Sequence, residues 1–131
     1  MQNVFVYGTL MSRKLIKKLT GRVFTTSTAS LTGYKRYCVK SRAYPAIVKN
    51  PTTTTYGLLV EDVDLNSLKL ITFYEGNEYK PEEVLVYSNG KHKKALVFVW
   101  AVDKNFLEDR EWDFKNFEEN GLQDYLNFDF S

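Results

Sequence analysis

Apolar residues along this chain fall into short runs whose period changes from two to helical and back, with a turn signal at almost every change. Val4, Phe5 and Val6 form a β-rich run from Asn3 to Tyr7 that stops at Gly8. Leu15, Ile16 and Leu19 then recur at helical spacing among Lys14, Lys17 and Lys18. With Ser12 placed to cap and Gly21 just past the end, a short helix is predicted from Ser12 to Leu19. From Arg22 to Val39, residues rich in Thr, Val, Tyr and Phe predict two strands broken near Gly33. Ala43 to Val48 begins another extended piece, in which Pro45 holds Tyr44 out of helical torsions. Asn50-Pro51 reads as a turn, and Thr53 to Glu61 alternates as a strand. Leu65, Leu68 and Ile71 follow Asp64 at helical spacing, so that Glu75-Gly76 falls at the C-terminal end of a helix. Glu82–Tyr87 and Lys93–Ala101 form a predicted hairpin around Asn89-Gly90. Asp113–Leu126 is a predicted closing helix interrupted by Gly121.

This order predicts one α+β domain over residues 1–131, rich in curved antiparallel sheet. At 44% apolar and 15% aromatic residues, the chain can bury a sizeable core. The single cysteine, Cys38, allows no internal disulfide, no apolar run approaches the length of a membrane span, and Met1-Gln2-Asn3 is unlike a signal-peptide start. A cytoplasmic protein away from the membrane is the expectation. Charge is unevenly spread: residues 1–50 hold ten Lys or Arg and no acid, and the remainder holds all sixteen acids. The asymmetry raises nucleic acid as a partner. The preferred reading is that the acids fold back over the same domain, and no nucleic acid is expected. The same split suits a carboxylate-bearing substrate held by the first half and worked on by an acid of the second. Oligomeric state is left open.

Most catalytic chemistries find no support. His92, the sole histidine, lies beside the predicted hairpin turn, which argues against a histidine-based triad. Cys38 between Tyr37 and Val39 reads as a small buried hydrophobe, and one His with one Cys gives no Cys/His zinc site. Gly8-Thr9 lacks the glycines and lysine of a phosphate loop, so no nucleotide, metal or other cofactor is implied. Carboxylate chemistry remains. Glu75 differs from the other acids because it follows Phe73-Tyr74 and precedes Gly76, where desolvation would raise its pKa and make it a usable base. The plain alternative is a helix-terminal carboxylate in water, set unfavourably against the helix dipole.

Three segments, Tyr7-Gly8-Thr9-Leu10, Tyr44-Pro45-Ala46-Ile47-Val48 and Tyr74-Glu75-Gly76 with Tyr79, resemble the gamma-glutamylcyclotransferase-like family from Asn3 to about Trp100, with a weaker tail to Leu126. The resemblance implies a small mixed, barrel-like sheet flanked by short helices, with the site at the barrel mouth. It implies Glu75 as general acid/base, and Tyr7, Gly8, Thr9, Leu10 and Tyr79 as substrate-binding residues. The substrate would be a small gamma-glutamyl compound whose own α-amine closes on the side-chain carbonyl to give 5-oxoproline and an amine. Main-chain N–H groups of the turn would bind the α-carboxylate or the oxyanion, and Tyr79 would orient Glu75 or the substrate. Two positions depart from the family pattern: Thr72 stands where Asp is common, and Phe98 where Tyr is common. Arg42, two residues before Tyr44, is the candidate cation for the α-carboxylate, its alternative being a solvent-facing arginine. The competing function is a non-catalytic binding or regulatory domain that keeps the same pocket.

Overall fold

The computed structural model describes residues 1–130. Its elements are β1 (Gln2–Val6), a 3-10 turn (Thr9–Met11), α1 (Arg13–Thr20), β2 (Thr26–Val39), β3 (Pro45–Val63), α2 (Leu65–Glu75), β4 (Tyr79–Ser88), β5 (Lys91–Trp100), a second 3-10 turn (Lys104–Phe106), β6 (Leu107–Glu108), α3 (Phe114–Asn120) and α4 (Leu122–Leu126). The strands run in the order β3-β1-β5-β4-β2, and β2 pairs again with β3, so the sheet closes on itself. Closure removes the free edges that an open antiparallel sheet would leave. β1 lies parallel to β5 and antiparallel to β3, which makes this a mixed barrel with four short α-helices, the expected α+β class.

Strand alternation fills both faces. Phe5, Tyr7, Leu31, Ile47, Leu59, Val86, Ala95, Val97 and Val99 pack together without any helical residue, as a closed barrel interior requires. Val4, Val6, Val60, Phe98 and Trp100 point the other way and pack with Leu15, Ile16 and Leu19 of α1, Ile71 of α2 and Phe117 of α3. The helices form as their caps dictate. Ser12 Oγ accepts from the Leu15 N–H at 3.2 Å, and Gly21 takes the left-handed torsions that end α1. An Asp64 carboxylate oxygen accepts from the Ser67 N–H at 3.1 Å to start α2.

The β-strand boundaries differ from expectation. β2 does not break at Gly33, and Asn50-Pro51 does not separate two strands. Instead Thr32 faces Thr54 while Tyr34 faces Lys49, so four residues of β3 oppose Gly33 alone in a wide bulge. Gly33 supplies a φ of +94° there, and the Asn50 side chain accepts from the Thr52 N–H at 3.3 Å. The turn chemistry is real but is absorbed inside a continuous ladder. β6, too short to carry a pattern, pairs with the end of β2. The charge halves do fold together: Arg22 pairs with Asp64, Lys35 with Asp109, and Arg36 with Glu111. No helix among the described residues is long and apolar enough to cross a membrane.

Candidate active site

β1 ends at Val6 and the chain turns at Gly8 into the 3-10 turn, which brings Tyr7, Gly8, Thr9 and Leu10 to one end of the barrel. The C-terminal end of α2 brings Tyr74 and Glu75 to the same end, and the start of β4 adds Tyr79. All seven line one cavity of about 160 Å³, with Phe5, Val6, Tyr44, Pro45, Phe98 and Tyr125 completing its wall. Six of the seven residues proposed from sequence therefore meet at one place.

Arg42 does not join them. It is exposed in the reversal between β2 and β3, where Ser41 has a φ of +61°, and its guanidinium donates to the Ser41 carbonyl at 3.3 Å. It faces a separate depression shared with Arg110 and Trp112. The expected extended geometry fails at this point, because the tight reversal turns residue 42 away before the chain straightens at Pro45.

Glu75 is partly exposed and lines the cavity, and burial pushes its carboxyl up to about 8. Three tyrosines surround it in defined roles. The Tyr7 hydroxyl donates to the Phe98 carbonyl at 2.6 Å, and the Tyr79 hydroxyl donates to the Pro45 carbonyl at 2.8 Å. Both phenols are held well above their ordinary pKa, by burial first and, among lesser causes, by the charge of Glu75, so they stay neutral. The Tyr74 hydroxyl meets Thr9 Oγ1 at 2.6 Å, tying the turn directly to the residue before Glu75. Phe98 provides no hydroxyl, but its main chain anchors Tyr7.

Beneath the turn lies a residue the sequence did not disclose. Arg36 donates through one nitrogen to the carbonyls of Tyr7 (2.9 Å) and Tyr56 (3.0 Å), and through the other to Glu111 at 3.0 Å. Its guanidinium lies 5.7 Å from the ring centre of Trp112, whose indole N–H donates to the Ala43 carbonyl, next to the cavity residues Tyr44 and Pro45. One arginine thus holds the Tyr7 carbonyl and lies against the indole that is bonded to Ala43.

A carboxyl poised near neutrality, beside neutral hydroxyls and a glycine turn, resembles proton-transfer machinery more than a structural ion pair. The family model described as gamma-glutamyl cyclotransferase, AIG2-like, matches residues 4–114. The chain belongs to that family. AIG2-like protein D of Arabidopsis thaliana is 28% identical over 129 residues, covering 96% of this chain and 85% of the relative. A solution structure of an Arabidopsis thaliana protein superposes with a TM-score of 0.75 at 26% identity, covering 95% of this chain and 85% of that one. A solved gamma-glutamyl cyclotransferase shares the fold with a TM-score of 0.62 at 19% identity, covering 95% and 83%. For this AIG2-like chain, Tyr125 is the wall residue that sequence reasoning missed most completely, since its place on an apolar helical stripe gave no sign of a cavity.

Proposed function

We propose that this chain is a gamma-glutamyl cyclotransferase with Glu75 as its general acid/base. The observation that carries the reading is the meeting of Glu75, its carboxyl pushed by burial up to about 8, with the Tyr7 to Leu10 turn and Tyr79 around one cavity. A carboxyl raised that far is a stronger base toward the α-ammonium than an exposed glutamate, which is the tuning that general acid–base catalysis exploits.

The substrate supplies its own nucleophile. Glu75 takes a proton from the α-ammonium, and the freed amine attacks the γ-carbonyl carbon, forming the new C–N bond of a five-membered ring. The carbonyl electrons move to oxygen. As they return, the bond to the leaving nitrogen breaks, Glu75 delivers its proton to that nitrogen, and the regenerated carboxylate relays the second proton of the ring nitrogen to the departing amine, giving 5-oxoproline and the amine in its ammonium form. The cavity's main task is to fold the glutamyl chain so that amine and carbonyl meet, a proximity effect. Main-chain N–H groups at Gly8, Thr9 and Leu10 are the donors offered to the α-carboxylate and the oxyanion. Tyr79 positions Pro45, and through it the wall facing Gly8.

The test is release of 5-oxoproline from a panel of gamma-glutamyl amides, followed by mass spectrometry. Wild-type protein should release it from at least one member. Glu75→Gln, which keeps shape but cannot accept the proton, should be slower by about a hundredfold or more. Undiminished turnover by Glu75→Gln on the best substrate would remove Glu75 from the mechanism.

A further inference from the structure

A cavity of about 160 Å³ is well below the roughly 300 Å³ at which pockets begin to enclose drug-sized ligands. It takes the glutamyl head and little more, so the departing amine must lie beyond its rim. Four further depressions lie around the barrel, and only one of those four shares wall residues with the cavity. That one is a groove between α1, α2 and the segment after α4, and the shared residues are Tyr74 and Tyr125.

The groove has a distinct chemistry. Leu19, Leu70, Phe73, Phe128 and Phe130 line it together with Tyr74 and Tyr125. Phe73 and Phe128 are largely exposed, at 87% and 60%, which leaves two aromatic rings in water beside the site. Phe130 packs edge-on against Tyr74 at 5.8 Å, and Tyr74 also lines the cavity. The remaining described lining residues are Asp124 and Asp129, with no Lys or Arg among them. The apolar lining rewards an apolar group, and the Asp124 carboxylate opposes a second carboxylate beside it.

We propose that this groove is the leaving-group subsite, and that the substrate is the gamma-glutamyl amide of a bulky apolar amine without a carboxylate. The inference rests on the cyclotransferase reading and adds what departs. Cyclisation breaks the bond from the γ-carbonyl carbon to the amine nitrogen, the nitrogen leaves with the proton from Glu75, and the apolar body of the amine stays covered by the groove until release. Burial of a phenethyl body in place of a methyl group carries at least a tenfold preference.

Three substrates separate the possibilities: gamma-glutamyl-phenethylamide, gamma-glutamyl-methylamide and gamma-glutamyl-glycine. The phenethylamide should exceed the methylamide in kcat/KM by about tenfold or more, with the glycine conjugate slowest. The exposed-residue double variant Phe73→Ser/Phe128→Ser should bring the phenethylamide-to-methylamide ratio down toward one. Release of 5-oxoproline with equal rates for the two amides, or fastest from the glycine conjugate, overturns the subsite and leaves the cyclotransferase reading standing. If no compound releases 5-oxoproline, the cyclotransferase reading fails. Calorimetric titration of Glu75→Gln with the two amides then decides the groove on binding alone, equal affinity overturning it. Concentration-dependent dimerisation lost in the double variant, with no amide preference, would assign the groove to a second copy and overturn the proposal as well.

Discussion

The Pro45 ring lies 2.9 Å from the point where a Cβ on Gly8 would stand. Gly8 has a φ of −129°, so the glycine is required by this close approach and not by left-handed torsions. A methyl group there must push Pro45 outward, and with it the carbonyl that receives the Tyr79 hydroxyl. Gly8→Ala should therefore cost about 1–3 kcal/mol of stability, as overpacking does, and raise KM roughly tenfold. The exposed control Lys18→Ala should do neither. Chemical denaturation and steady-state kinetics on the two variants check this, and equal KM values would free the turn from the site.

Glu75 links activity and stability to pH with opposite consequences. On the proposed mechanism Glu75, its carboxyl pushed up to about 8, must exchange a proton, so kcat/KM should show an acid limb with its midpoint near that pH. Stability runs the other way. Between the ordinary value of 4.5 and about 8, the folded protein holds a proton that the unfolded chain has released, so unfolding becomes easier as pH rises through this window. The stabilisation is fully present below about 4.5 and is lost as pH passes 8. Glu75→Gln carries no such linkage. Compared at pH 5 and pH 9, wild type should lose roughly 2–4 kcal/mol relative to the variant. Parallel pH dependence of the two would place Glu75 in water.

Arg36 positions the turn without touching the cavity, since its nitrogens reach the Tyr7 and Tyr56 carbonyls and Glu111. Arg36→Met leaves those carbonyls without their donor, at a cost of roughly 2 kcal/mol. KM should rise about tenfold, while the acid limb of kcat/KM keeps its midpoint because Glu75 is untouched. Arg36→Lys restores charge but not the fork that spans two segments, so recovery should be partial. A shifted midpoint would mean that Arg36 acts on Glu75 and not on the turn.

The legible parts of this protein were those written in local chemistry. Ser12 and Gly21 marked α1, Asp64 marked α2, and Asn89-Gly90, both at positive φ, marked the β4–β5 hairpin. Gly8 and Glu75 were readable from their own signals, a strand-ending glycine and a carboxylate among aromatics, whereas Tyr7, Thr9, Leu10 and Tyr79 were readable as site residues through the family resemblance. What failed was non-local. Asn50-Pro51 has the composition of a turn whether it ends a strand or bulges from one, and only pairing with β2 decides. Tyr125 reaches the cavity by the packing of α4, and Arg36 finds Tyr7, Tyr56 and Glu111 across distances of chain that no periodicity reports.

Arg42 supplies the remaining prediction, because its charge had the right sign and the wrong geometry. An exposed guanidinium bonded to the neighbouring Ser41 carbonyl is screened within about 8–10 Å at physiological salt. It also faces the depression with Arg110 and Trp112, outside the cavity wall. On the proposed reaction, holding the substrate's α-carboxylate would then fall to main-chain N–H groups at Gly8 to Leu10. Arg42→Met should accordingly change KM by less than about twofold and leave its salt dependence shallow. A tenfold rise in KM would show instead that the β2–β3 reversal swings inward on binding and that the carboxylate recruits the guanidinium after all.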